Sequence, residues 1–174
     1  MQAKDIKDIV KKAKHKDADA FTYLMQFYMK DMYRVALAIL MNDEDAADAI
    51  QETILTCWEK MDTLKKEQFF KTWMTRILIN HCYDIRKKVL NTVNLSEWEE
   101  PITEDNSNIE LKEALASLDR KYSIVMTLFY SEGYHISEIA QMLRLSPSTV
   151  RTRLQRGRER LAVYYKDSGL RRSI

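Results

Sequence analysis

Residues 135–161 read HISEIAQMLRLSPSTVRTRLQRGRERL, and this stretch spells two helices joined by a tight turn. In the first, Ile136, Ile139, Ala140 and Leu143 recur at three- and four-residue steps, which makes one face apolar. The second opens with Leu145-Ser146-Pro147. Ser146 is a strong N-cap, Pro147 suits the first helical position, and Leu145 is placed to staple onto Val150. At 100° per residue, Val150, Leu154, Gly157 and Leu161 share one stripe and face the first helix. Ser148, Thr152, Gln155 and Arg156 point the opposite way, with Arg151 and Arg158 flanking on one side and Arg153 and Arg160 on the other. Short polar side chains at an exposed helix start, with arginine rails beside them, suit the major groove of a duplex. A merely solvated charged face would not require the cap, the turn and the arginine phase to agree.

Working outward, the whole chain of 174 residues has only three Gly and two Pro. Abundant Leu, Ile, Met, Ala, Lys and Glu then predict an all-α protein. The N-terminal stretch MQAKDIKDIVKKAKHKDADAF is charged throughout and carries no signal-peptide core. The longest aliphatic run, residues 35–41, is far short of the roughly 20 residues a membrane span requires, so a cytoplasmic protein is expected. Cys57 and Cys82 have no metal-type spacing and read as reduced thiols. No metal or cofactor is expected.

The net charge of +2 conceals an asymmetry. Residues 1–88 carry 16 Lys/Arg against 14 Asp/Glu, and residues 111–174 carry 12 against six. Between them, residues 89–110 hold six acidic residues and no basic one. Two small helical domains, 1–88 and 109–174, joined by a flexible acidic linker over 89–108, are therefore expected.

Along the first domain, Ile6, Ile9, Val10 and Ala13 form a short amphipathic helix. From about Asp17 a longer one follows, with Phe21, Leu24, Met25, Tyr28, Met32, Val35, Ala36 and Ile39 as its core stripe. Residues 42–45 break the pattern and cap a third helix, DAADAIQETILTCWEKM. Its buried face is expected to hold Ala47, Ile50, Ile54, Cys57, Trp58 and Met61. Asp45, Asp48, Glu52 and Glu59 gather opposite, with Gln51 at the edge. Acids at a helix start also complement the dipole, which accounts for Asp45 and Asp48 better than for Glu52 and Glu59. After a predicted loop, DTLKKEQFF, a fourth helix sets Phe70, Trp73, Met74, Ile77, His81 and Asp84 along one side, mostly as core. Its other side mixes Thr72, Thr75, Arg76 and Arg86 with Ile79 and Tyr83. Aromatics beside cations are what binding of single-stranded nucleic acid uses, by stacking and phosphate neutralisation. In the second domain periodicity resumes at Ile109, Leu111, Leu115 and Leu118. A further helix with Ile124, Val125, Leu128 and Phe129 ends near Gly133, a C-cap residue.

With these residues placed, the chain resembles an extracytoplasmic-function sigma factor, a small two-domain specificity subunit of bacterial RNA polymerase. The first domain resembles that family over DAADAIQETILTCWEKMDTL and FFKTWMTRILINHCYDIRKK, the second over ALASLDRKYSIVMTLFYSEGYHISEIAQMLRLSPSTVRTRLQRGRERL. The resemblance implies a partner for the acidic face, the clamp helices of the largest polymerase subunit, contacted through Asp48, Gln51 and Glu52. It implies that the loop 65–69, with Lys65, Lys66 and Phe69, and Asn80 hold the melted minus-ten strand. The face argument adds Arg76, Tyr83 and Arg86. It implies that the acidic linker threads toward the active-site cleft and that the second domain docks on the polymerase flap. There Arg151, Thr152, Gln155 and Arg156 would read the minus-thirty-five element of promoter DNA, with Ser148 and Arg158 beside them. An anti-sigma factor covering the polymerase-binding surfaces is a further implied partner.

The sequence departs from the family pattern at Arg144, where a turn glycine is usual, at His135, where Ser or Thr caps, and at Asp119, where proline is common. These bear on local stability rather than on contacts. Two other functions compete with this one. A helix-turn-helix regulator would have a helical sensor or dimerisation domain, but no pocket or zipper pattern appears. An enzyme would need a nucleophile–base pair, a phosphate loop or a metal cluster, and three scattered histidines supply none.

Overall fold

The computed structural model describes residues 3–92 and 109–167, and among these every element is helical. The chain divides into two compact units, Met1–Asn94 and Leu95–Ile174.

In the first unit α1 spans Ala3–Lys14, α2 Ala18–Leu40, α3 Asp43–Glu59 and α4 Phe70–Thr92, with 3-10 turns at Met61–Thr63 and Glu67–Phe69. The caps set the breaks. The Asp17 carboxylate accepts from the Ala20 N–H at 2.9 Å, and the Asn42 side chain accepts from the Asp45 N–H at 2.9 Å. Each satisfies an orphan donor of the next helix. The α2 stripe is buried as its spacing predicts, from Phe21 to Ile39. Helices α2, α3 and α4 pack on one another, and α1 lies on α2. Phe70, Leu24, Met32, Ile39, Met61 and Met74 are the largest side chains in the dry interior.

Two faces differ from expectation. In α3 the buried residues are Ala46, Ala49, Ile50, Thr53 and Cys57, whereas Ala47 is exposed and Ile54 and Trp58 are half-buried. The helix is rolled toward its small residues, which let α2 and α4 approach closely. Buried Thr53 needs no outside partner, because its hydroxyl donates to the Ala49 carbonyl at 2.6 Å. In α4, Thr75 and Ile79 are buried rather than outward, and Asp84 is exposed. The cause is that α4 is packed on two sides, by α2 and by α3, so apolar residues occupy both flanks. Helix α4 also continues to Thr92, four residues into the stretch read as linker, whose remaining residues, 93–108, lie outside those described.

In the second unit α5 spans Ile109–Ala116, α6 Arg120–Met126, α7 Ile136–Leu143 and α8 Pro147–Asp167. Helix α6 runs on as a π-helical segment, Thr127–Ser131, before Gly133 turns the chain at φ +74°. A left-handed residue there suits glycine, in keeping with its expected capping role. Helices α5, α6 and α7 all pack against α8.

Candidate nucleic-acid and polymerase interface

Helix α7 begins with half a capping box, the Glu138 carboxylate accepting from the His135 N–H at 2.9 Å. It ends at Arg144, which adopts the left-handed conformation at φ 54° that the missing glycine would have taken without strain. The Leu145 N–H donates to the Ala140 carbonyl at 2.9 Å and closes the turn. Ser146 then caps α8, its hydroxyl accepting from the Thr149 N–H at 3.1 Å. Val150 and Leu154 are buried against α7 and α6, Gly157 is buried one turn on, and Leu161 is half-buried.

The outward side of α8 follows the expected phase. Ser148, Arg151, Thr152, Gln155, Arg156 and Arg158 are all exposed. Thr152 is held by donation to the Ser148 carbonyl at 3.0 Å, and the Gln155 amide donates to Glu159 at 3.1 Å. Arg153 is half-buried. The two arginines nearer the core stripe are tied back to other helices. Arg158 donates to the Tyr130 hydroxyl at 3.0 Å, and Arg160 pairs with Asp119 at 3.5 Å. Asp119, standing where the family favours proline, is thus an anchor for Arg160 as well as the residue before α6.

Lys121, Tyr122, Ser148, Thr149, Thr152, Arg153 and Arg156 line a cleft of about 300 Å³ between α6 and the start of α8. Lys121 and Tyr122 were not singled out from the sequence. Gly157 was the available signal. A glycine in the middle of a core stripe costs helix propensity and marks a close approach, here to Met126 and Tyr122. Burial raises the Tyr122 phenol, but the hydrogen bond from Arg156 and the charges of Lys121, Arg160 and Arg156 outweigh it and hold the group below its ordinary value.

In the first unit Arg76, Asn80 and Tyr83 are exposed on α4 at helical spacing, and Lys87 continues the strip. Tyr83 is 38% exposed and Phe69, at the end of the preceding turn, 49%. Lys65 and Lys66 are exposed in that connection, which is braced to α1 through Lys14 and Glu67 at 3.1 Å. Arg86 lies apart from the strip, half-buried. On α3, Asp48, Gln51 and Glu52 are exposed together, Asp45 is half-buried near the cap, and Leu55, 58% exposed, adds an apolar spot.

His81 hydrogen-bonds Thr56 at 2.9 Å, and the thiol of adjacent Cys82 is buried. Among the described residues no group of three or more His, Cys, Asp or Glu is placed to hold a metal ion. Nor is any described helix long and apolar enough to cross a membrane.

Known proteins match both halves. Residues 24–89 fit the family model for sigma-70 region 2, and residues 108–161 fit that for sigma-70, region 4. The chain is 28% identical to the ECF RNA polymerase sigma factor SigW of Bacillus subtilis (strain 168), over 93% of this chain and 97% of that protein. It is 26% identical to the ECF sigma factor SigM of Mycobacterium tuberculosis, over 84% and 77%. Among solved structures, CnrH in complex with the cytosolic domain of CnrY superposes with a TM-score of 0.68 at 21% identity, covering 95% of this chain and 99% of that one. The sigma factor RpoE in complex with the anti-sigma factor NepR from Bartonella quintana gives 0.68 at 22% identity, covering 84% and 96%. The fold is therefore that of these proteins. With a region 2 module and a region 4 module in order along one all-α chain, the protein belongs to the sigma-70 family as an extracytoplasmic-function RNA polymerase sigma factor.

Proposed function

We propose that the two units divide the work of promoter use at the residues described above. In the unit formed by α1 to α4, the acidic face of α3, Asp48, Gln51 and Glu52 with Asp45 at its edge, binds the clamp helices of core polymerase. Beside it the strip Arg76, Asn80 and Tyr83, with Arg86 and with Lys65, Lys66 and Phe69 of the preceding turn, holds the melted minus-ten strand. Tyr83 and Phe69 supply ring faces on which bases stack, and the cations neutralise phosphates. In the second unit, which docks on the flap, α8 enters the major groove of the minus-thirty-five element. Ser148, Arg151, Thr152, Gln155 and Arg156 face base edges, and Arg158 lies toward the backbone.

The observation that carries this reading is the outward phase of α8. The polar and arginine side chains that a groove-reading helix needs are the ones left exposed, while Val150, Leu154 and Gly157 are consumed by packing. By likeness to RpoE with NepR, an anti-sigma factor is the partner that would hold the chain inactive, and the cytoplasm, where polymerase works, is its compartment. Run-off transcription with purified core polymerase tests the proposal. Specific transcripts should require both units, should fall with Tyr83→Ala and should change promoter preference with Gln155→Ala. Promoter binding without core polymerase, and no transcript with it, would instead favour a conventional helix-turn-helix regulator.

A further inference from the structure

Helix α6 does not finish as an α-helix. Its continuation, Thr127–Ser131, is wound wider, and the Glu132 N–H donates to the Thr127 carbonyl five residues back at 3.1 Å. Turns of this π-helical kind are frequent at functional sites. Thr127 and Leu128 stay in the core, whereas Tyr130 is turned out and is 55% exposed. The Phe129 ring stands edge-on against it, with centroids 5.0 Å apart. The Tyr130 hydroxyl meets α8, where the Arg158 guanidinium donates to it at 3.0 Å. Arg158 stands seven residues beyond Arg151, nearly two turns along the same side of α8, and both are exposed. The acid next to Arg158, Glu159, is engaged by the Gln155 amide at 3.1 Å.

We propose that Tyr130, outside the helix-turn-helix, is a DNA-backbone contact whose hydroxyl, together with the Arg158 guanidinium, holds one phosphate of the minus-thirty-five element. The assignment of Tyr130 rests on the reading of Arg158 as a backbone contact. Phosphate oxygens only accept hydrogen bonds, so a seat for one is built of donors. The phenol oxygen, having accepted from Arg158, keeps its O–H to donate, and the guanidinium keeps its other N–H groups. Two donor groups 3.0 Å apart suit the oxygens of a single phosphate. Their place on α8 selects backbone over bases. Arg158 lies nearer the core stripe than Thr152 or Gln155, at the edge of the reading face, where the sugar–phosphate strand of a groove runs. An exposed hydrogen bond of this kind adds little to stability, since water satisfies both groups when it opens. A carboxylate on a protein partner would accept the same donors. The line from Arg151 to Arg158 favours DNA, because a row of cations matches a repeating row of phosphates.

The experiment measures promoter binding by full-length protein with core polymerase, comparing the parent, Tyr130→Phe, Arg158→Ala and the double variant. The promoters carry single-base changes in the minus-thirty-five element or one neutral methylphosphonate at a time along its strands. Tyr130→Phe keeps the ring and removes the hydroxyl. It should weaken binding about tenfold on every base variant alike, with the thermal midpoint, the salt slope and the affinity for core polymerase alone unchanged. Arg158→Ala should also act on all sequences alike and lower the salt slope by about one. One methylphosphonate position should weaken the parent and leave the double variant unaffected. If that position stays sensitive in the double variant, the pair is a structural tie and the proposal is overturned. It is overturned as well if Tyr130→Phe loosens binding to core polymerase alone, which would put the donors against an acidic protein surface. If Arg158→Ala acts as expected and Tyr130→Phe does nothing, the role of the tyrosine is lost and the reading of Arg158 survives. If Arg158→Ala changes neither affinity nor salt slope, that reading fails and the proposal fails with it.

Discussion

Replacing Gly157 tests the packing of α8 on α6, because two opposing quantities decide the result. Alanine in a helix interior is favoured over glycine by about 1 kcal/mol. Against that, a Cβ at 157 would sit 3.0 Å from both Cγ and Sδ of Met126. Ordinary carbon contacts lie at about 3.5–4.0 Å, so Met126 must retreat by roughly half an ångström. Rigid neighbours would make such crowding cost about 1–3 kcal/mol. Methionine has three rotatable bonds and a soft sulfur, so rotation about its Cα–Cβ bond can carry Cγ and Sδ aside together and most of that penalty is relieved. Gly157→Ala should therefore be stabilising by a few tenths of a kcal/mol, raising the midpoint of the second unit by about 1–4 °C. Gly157→Val adds two methyl groups in the same direction and gives back much of the propensity gain. It should destabilise by about 1–3 kcal/mol, and Met126→Ala should recover part of the loss. Thermal unfolding followed through the amide NMR signals of α8 isolates this unit. Loss of more than 1 kcal/mol in Gly157→Ala, or indifference to valine, would refute the packing argument.

Other outcomes are expected. Asp48→Arg or Glu52→Arg should weaken binding to core polymerase while leaving circular dichroism unchanged, since both side chains point away from the packed face; fluorescence anisotropy at moderate salt with equal affinities would remove α3 from the contact. Tyr83→Ala and Asn80→Ala should impair open-complex formation more than closed-complex binding, Tyr83 by about 1–3 kcal/mol for one lost stack. Normal capture of a pre-melted bubble together with normal opening of duplex would leave them structural. Burial pushes the Cys57 and Cys82 thiols up to about 12 from an ordinary 9.0. A raised folded value means the protonated thiol is favoured by folding, so this contribution is whole below pH 9 and lost as pH climbs toward 12. Urea midpoints of the first unit should fall over that window, and with Ala at both positions the slope should flatten; an unchanged slope would show that the thiols do not titrate in this way.

The second unit was largely legible because its signals agree with one another. Ser146 and Pro147 fix where α8 begins, and Val150, Leu154 and Gly157 recur on one side of it. The third helix misled because hydrophobicity favours Ile54 and Trp58, whereas packing favours Ala46, Ala49 and Thr53, which are small enough to bring helices together. Trp58 instead covers the edge, with Phe21 against its ring at 5.0 Å and Lys16 over it at 5.0 Å. In α4 a single-stripe reading failed at Thr75 and Ile79 because the helix has neighbours on two sides. The π-helical register of Thr127–Ser131 has no periodic signature over so few residues. The place of Tyr122 was hidden for another reason. The residues that share its cleft, from Ser148 to Arg156, stand 26 to 34 positions along the chain, and only folding brings them beside it.

The double packing of α4 bears on how much information the first unit can extract. With α2 and α3 covering its flanks, what remains for a DNA strand is the strip from Arg76 to Lys87. At 1.5 Å per residue this strip is about 16 Å long. On the proposed reading it faces no more than about five bases at the 3.4 Å spacing of a stacked strand. A five-base word recurs by chance about once per thousand base pairs, so in a bacterial genome it is common rather than distinctive. Selectivity must then be multiplicative, with a second short word read by α8. On that reading, a promoter that keeps only one of the two words is not told apart from chance sequence.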